Sequence, residues 1–249
     1  MLSIYDARTR ATAEVRPSRG RELRLHVSAP PADGAIGLAD LRRYLTADLV
    51  RRTAQRHRLA VSLDHDGESR ALTALNIYPP EQVTLATSGA DLCVVDGGTE
   101  PADDSARQSA RQVVLGRTTA GAADLVDPLA ALAERGLDPL ALRLVFLEHH
   151  YRQPLEVTWA ELAEADGALR DWRRQVAVWA TQPSKPVCAQ YMAELTGAFD
   201  DDLDSPAALR ALRTLAADAE IPPGSKFETA AHVDQLLGLD LVSEVGRAL

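Results

Sequence analysis

An α/β unit followed by an all-α unit is the fold class this sequence of 249 residues predicts. Three observations carry that reading. An apolar run, "LRLHV" (23–27), leads through a proline- and glycine-bearing turn into a long helical pattern, "LADLRRYLTADLVRRTAQRHR" (38–58). Strand-like and helix-like stretches then alternate as far as "DLCVVDGG" (91–98), which predicts parallel strands with crossover helices. From about residue 127 helical periodicity runs to the end, with no strand pattern visible after that point. The expected division is a Rossmann-like unit over 1–126 and a helical bundle over 127–249.

Each element has a local reason. "LSIYD" and "ATAEV" alternate and carry β-formers, so they read as two short strands before the main strand at 22–27. The helix from 36 to about 57 places Leu38, Leu41, Leu45 and Leu49 on one face, with Arg42, Arg43, Arg51, Arg52 and Arg56 mostly elsewhere. "LAVSLD" (59–64) is a second buried strand, and "ALTALNIYPPEQ" (71–82) a short amphipathic piece stopped by Pro79 and Pro80. In the second half, Asp138 caps a helix with Pro139 at its first position. Thr158 and Glu161 form a capping box, with Val157 and Leu162 as its hydrophobic staple. Ser205 and Pro206 read as cap and first position of the next helix, and the last helix reads as 227–249.

Composition narrows the function classes. Thirty-six acidic against 27 basic residues give a net charge of −9, which speaks against a general nucleic-acid binder but leaves room for a local basic face. Only Lys185 and Lys226 are lysines. Cys93 and Cys188 stand far apart, build neither a CxxC motif nor a disulfide framework, and read as small buried apolar side chains. No apolar run reaches the roughly 18 residues of a membrane span, and the N-terminus has no apolar core of signal-peptide length, so a cytoplasmic protein is expected.

The chemical motifs are weak one by one. "DDDLDSP" (200–206) fails as a calcium loop, since Ser205 stands where the sharp-turn glycine belongs, and it reads as a solvated acidic loop. The adjacent histidines of "EHHYR" (148–152) diverge by about 100° on a helix and mark a helix end rather than a ligand pair. "VVDGG" (94–98) places Gly97 and Gly98 after a strand, facing either a ribose or phosphate or nothing but its own turn. "GRTTAGAAD" (116–124) is a small-residue loop, mobile over a cleft or a plain link.

Taken in order, the phrases resemble the cysteinyl-tRNA synthetase family, and most of all its shorter relatives, the mycothiol-pathway ligases that join cysteine to glucosaminyl-inositol. "LSIYDARTRATAEVRP" (2–17) is similar to the family's opening strand pair, and "LRLHVSAPPADGAIGLADLRRYLTADLVRR" (23–52) to its first strand, HIGH turn and helix. "ALNIYPPEQVTLAT" (74–87), "LAERGLDPLALRLVFLEHHYRQPLEVTWAELAEA" (132–165), "FDDDLDSPAALRAL" (199–212) and "DQLLGL" (234–239) resemble later family passages. The resemblance implies a reduced class I synthetase-like Rossmann (HUP) domain with a parallel sheet, then a helical domain of the synthetase type. The family's catalytic insertion and anticodon-recognition domain have no counterpart here.

Residue by residue, the resemblance implies a degenerate site. "AIGL" (35–38) stands where the family has HIGH: Gly37 remains, while Ala35 and Leu38 replace both histidines. Ser28 stands for the first zinc-binding cysteine, and "EPADDSAR" (100–107) for the stretch with the histidine and glutamate ligands. The segment 117–123, where the KMSKS loop belongs, holds Arg117 but no lysine. The expected cleft is therefore vestigial: Ser28, Ala35, Gly37, Leu38, Gly97, Gly98 and Arg117, with no catalytic residue, no metal site and no zinc. Gly37 is expected to serve close packing of the turn. The function expected is a non-catalytic binding or scaffold protein whose partner is another protein or an active paralogue, without cofactor and without tRNA. The alternative is a repurposed ATP-dependent amino-acid ligase or aminoacyl transferase, with Arg117, Asp96, Asp103 and Asp104 as its candidate residues. ATP is a cofactor only under that alternative.

Overall fold

A computed structural model describes residues 1–27, 36–65, 70–78, 89–97 and 110–247. Strands β1 (Ser3–Asp6) and β2 (Ala11–Glu14) form an antiparallel hairpin. β3 (Glu22–Val27), β4 (Ala60–His65), β5 (Leu92–Asp96) and β6 (Arg111–Leu115) form one sheet in the order β4-β3-β5-β6, parallel throughout. Helix α1 (Leu38–Arg56) makes the crossover from β3 to β4, and α2 (Arg70–Ala74) follows β4. After β3 the chain builds outward on one side, then returns to pair β5 on the other. The carboxyl ends of β3 and β5 thus flank the point where strand order reverses, the usual ligand position in open α/β sheets.

α1 is more deeply set than its leucine stripe foretold. Leu38, Leu41, Leu45 and Leu49 are buried, and so are Arg42, Arg43 and Asp48. The buried charges are held by partners from both halves of the chain. Arg42 donates to the carbonyl oxygens of His150 and Gln153, both at 3.0 Å, and to Thr118 Oγ1 at 3.2 Å. Burial lowers the Arg42 guanidinium to about 10, with Asp96 opposing, so it stays charged at neutral pH.

The second half begins with β7 (Thr118–Ala120), α3 (Pro128–Glu134) and α4 (Pro139–Glu148). β8 (Leu155–Val157), α5 (Trp159–Ala180), α6 (Ala189–Asp200), α7 (Ser205–Ala217) and α8 (Pro223–Leu237) complete it. Asp138 caps α4 by accepting from Leu140 N at 2.8 Å. The capping box of α5 is present, with Glu161 N donating to Thr158 Oγ1 at 3.3 Å and Thr158 N to Glu161 Oε2 at 3.1 Å. Its staple residues Val157 and Leu162 are both fully buried.

Several expectations are corrected. β8 is a strand beyond residue 127, and it pairs in parallel with β7, so the centre of "GRTTAGAAD", Thr118–Ala120, is a fastened strand within an otherwise irregular segment. Asp204, not Ser205, caps α7, accepting from Ala207 N at 2.9 Å. The last helix stops at Leu237, where Gly238 takes φ +64. A Cβ on Gly238 would come within 2.8 Å of Arg143 Cζ, so space and backbone both require glycine. The acidic loop is only partly solvated: Asp201 is exposed, but Asp202 is 5% exposed. Its Oδ1 accepts from Tyr5 N at 2.8 Å and from Tyr151 Oη at 2.6 Å, which ties the first strand to the helical half. Cys93 is buried as expected, but Cys188 is only half-buried and stands at the N-cap of α6.

Candidate functional site

The candidate cleft lies at the carboxyl ends of β3 and β5, beside the start of α1. Of the residues singled out from sequence, Gly37, Leu38, Gly97 and Arg117 lie within the described structure; Ser28, Ala35, Gly98, Asp103 and Asp104 lie outside the described residues. Leu38 is buried in the core, so it cannot present a side chain to a ligand where a histidine is expected. Gly97 donates its N–H to Leu115 O at 3.0 Å, and a Cβ there would stand 2.8 Å from that same oxygen. Close approach of two strand ends explains this glycine without any ligand. Arg117 is exposed, and its side chain pairs with none of the described residues.

Gly37 corrects an expectation. It is the N-cap of α1 at φ −82 and ψ 175, a conformation open to any residue. Among the described residues a Cβ would meet only Asp40 Oδ2, at an ordinary 3.6 Å. Packing against the described residues therefore does not require glycine at 37.

What occupies the start of α1 is the protein itself. Asp40, at the third helical position, accepts from Gly37 N with Oδ2 at 3.1 Å. This is the acidic half of a capping box, and it places a negative charge in the first turn of α1, where it satisfies the cap N–H and repels a second anion. Arg43, 7% exposed at its side chain, pairs with Asp40 Oδ1 and also reaches Asp96 Oδ2, Nε to oxygen 3.4 Å. From sequence, Arg43 reads only as a residue off the leucine face of α1, and Asp40 carries no assigned role. The signal was present, since an acid three residues after a glycine at a helix start is a capping pattern.

Asp96, at the end of β5, is the titratable group of note here. Burial raises its carboxyl above the ordinary value, Arg43 opposes that, and Asp40 adds to it. Its Oδ1 is shielded from solvent and has no hydrogen-bond partner among the described residues. The neighbouring Arg42 spends its Nη groups on the His150, Gln153 and Thr118 oxygens, and its charge adds a weaker pull that lowers the Asp96 carboxyl. The cleft therefore holds two carboxylates, Asp40 and Asp96, bridged by one committed guanidinium.

The segment expected to carry the lysine loop is held in place as well. Thr118, Thr119 and Ala120 pair with Leu155, Glu156 and Val157, and Gly121 N donates to Val157 O at 2.8 Å. Gly116 N donates to Tyr151 O at 2.9 Å. The two histidines of "EHHYR" diverge as expected: His149 Nε2 faces Glu161 at 3.8 Å and His150 Nε2 faces Asp202 at 3.7 Å. Among the described residues no three His, Cys, Asp or Glu side chains converge as a metal site. No helix among them is long and apolar enough to cross a membrane.

No protein-family model matches the chain. Individual curated proteins do. The L-cysteine:1D-myo-inositol 2-amino-2-deoxy-alpha-D-glucopyranoside ligase of Nocardiopsis dassonvillei is 38% identical over 117 residues, 45% of this chain and 28% of the ligase. The ligases of the same name from Thermomonospora curvata and Streptomyces griseus are 36% and 38% identical, each over 45% of this chain. The matched part spans about 28% of the length of each of these relatives. The chain is thus a relative of the L-cysteine:1D-myo-inositol 2-amino-2-deoxy-alpha-D-glucopyranoside ligases, matched over a little under half of its length.

Proposed function

We propose that the chain is a non-catalytic relative of these ligases that serves as a binding or scaffold protein. The observation that carries this reading is the closed circuit of Asp40, Arg43 and Asp96 at the start of α1. Amino-acid activation by ATP develops negative charge on a phosphoryl group, and one lost preorganised donor costs about 3–4 kcal/mol. Here the N–H of the cap residue Gly37 is taken by a resident carboxylate, and the guanidinium beside it, Arg43, is already paired. The retained caps, staple and buried arginine contacts support a framework kept for its shape. Its partner in this reading is a protein, an active paralogue among the candidates, with no zinc, no cofactor and no tRNA.

A specific observation favours a second reading, a repurposed ATP-dependent amino-acid ligase or aminoacyl transferase. Asp96 carries a shielded oxygen without a hydrogen-bond partner among the described residues and a raised carboxyl, the properties of a proton acceptor at a topological switch point. Amino-acid-dependent exchange of pyrophosphate into ATP separates the two. The first reading expects no exchange above a protein-free control with cysteine or any other amino acid. Exchange that disappears in Asp96→Asn would establish the second. Elemental analysis is expected to find far less than one zinc per chain, and near-stoichiometric zinc would overturn the metal-free reading.

A further inference from the structure

At the opposite edge of the sheet, the amino ends of β5 and β6, the structure holds a cavity of about 450 Å³. Its walls come from the β1–β2 hairpin (Asp6, Arg8, Val15, Arg16), from Ser18 and Arg24, from residues 89–91 and from Arg111. We infer that this cavity is an anion site for a small phosphate-bearing molecule, separate from the cleft and independent of the function proposed above.

Charge is the first argument. Four guanidinium groups line the space against two carboxylates, Asp6 and Asp91. A third carboxylate, Glu14 beside the rim, pairs Arg16 at 2.6 Å, so Arg24 and Arg111 carry the site. Both oxygens of Asp91 are taken by backbone N–H groups, Ser18 N on Oδ1 and Arg24 N on Oδ2, each at 2.9 Å. Asp6 Oδ1 accepts from Arg8 N at 3.1 Å. The acids thus shape the backbone. Among the described residues, neither Arg24 nor Arg111 has a carboxylate within ion-pair distance.

Unspent donors are the second. Arg24 Nε is shielded from solvent and, among the described residues, has no hydrogen-bond partner, while Nη2 donates among them only to Ser18 Oγ, at 3.1 Å. Arg111 donates to Ala13 O at 2.7 Å and Glu14 O at 3.2 Å, which latches the hairpin over the sheet edge and leaves the positive charge uncancelled. Gly89 completes the cradle: a Cβ there would stand 2.2 Å from Arg24 Nη1, so a larger residue would push the guanidinium off this backbone. Planar guanidinium forks match phosphate oxygens in pairs. The volume suits a phosphate ester up to about the size of a nucleotide.

The test uses the whole chain with pyrophosphate and inorganic phosphate as probes, read by calorimetry and phosphorus NMR at low ionic strength. Wild type is expected to bind pyrophosphate with Kd near or below about 1 mM and to melt higher in its presence. Arg24→Gln is expected to weaken binding about tenfold or more. Arg16→Gln, on the exposed rim and so no threat to folding, is expected to weaken it by about threefold. Arg174→Gln, far away on α5, is expected to bind as wild type does. No heat and no line shift up to about 10 mM would overturn the inference. So would binding lost in Arg43→Gln but kept in Arg24→Gln, which would place the anion in the cleft. Tighter binding of a single-stranded RNA oligonucleotide, lost in the same cavity variants, would overturn the small-molecule assignment.

Discussion

Replacing Arg143 by methionine should loosen the joint between the two halves of the chain. Arg143 sits on α4 with no exposed surface, and it donates to Leu237 O at 2.5 Å, Leu75 O at 2.8 Å and Asp48 Oδ2 at 2.9 Å. Asp48, on α1, also holds Arg51 and, at 2.7 Å, Arg52. Arg52 in turn donates to Asn76 O at 2.6 Å and Gln235 O at 2.8 Å. One carboxylate thereby organises three arginines that tie α1 to α4, to α8 and to the segment after α2. Methionine keeps much of the volume but strands two buried carbonyls and removes one of the carboxylate's three cations. Breaking a buried pair costs about 3–5 kcal/mol, and the lower end applies because Arg51 and Arg52 remain. At about 2–4 °C per kcal/mol for a chain of this size, a cost of about 3 kcal/mol lowers Tm by about 6–12 °C. Thermal unfolding followed by circular dichroism measures this. Asp48→Asn should cost more, since it leaves Arg143 buried without its anion, and the double variant should cost less than the two single losses summed. A Tm drop below about 2 °C for Arg143→Met, or simple additivity in the double variant, would refute the account of the joint.

Further expectations concern acid and two glycines. Burial works against the Asp48 carboxylate, but Arg143, Arg52 and Arg51 outweigh it and hold it below the ordinary value of 3.8. A lowered folded value contributes stability above the unfolded one and loses it as pH falls through the folded one, so Asp48→Asn should flatten the stability loss below about pH 4. Burial likewise lowers the His150 imidazole from its ordinary 6.5, with Asp202 opposing, so stability should fall on acidification below that value, and denaturant titrations of His150→Gln should show that part of the slope gone. Gly37→Ala should shift stability by less than about 1 kcal/mol, because the added Cβ has ordinary room. Gly116→Ala should cost at least about 1–3 kcal/mol in the same denaturant titration, since its Cβ would fall 2.2 Å from the Gln153 carbonyl carbon.

Periodicity and capping chemistry carried the reading of the fold where they act locally. The leucine stripe of α1, the proline at the start of α4 and the Thr158–Glu161 box are all in place. The parallel pairing of β7 with β8 joins three-residue segments far apart in sequence, and no local pattern announces it. Gly238 did mark a helix end, but an apolar "LDL" beyond it imitated continuation. Buried charge was the larger gap. Arg42, Arg143, Asp48 and Asp202 look like surface residues by type, and only their partners from distant segments make burial tolerable. In the cleft, the missing histidines were legible as absences, whereas the pairing of the capping acid Asp40 with Arg43 was not, since Asp40 reads in sequence as an ordinary first-turn acid.

The most direct test of the central claim is calorimetric titration of the full chain with ATP, with magnesium present and with and without cysteine. A cleft closed by Asp40, Arg43 and Asp96 predicts no binding at the cleft tighter than a Kd of about 1 mM, equivalent to roughly −4 kcal/mol. Arg24→Gln serves as background, so that phosphate held in the cavity at the other edge is not counted. A micromolar Kd for ATP that survives in Arg24→Gln and disappears in Arg43→Gln would contradict the claim and show a working nucleotide site.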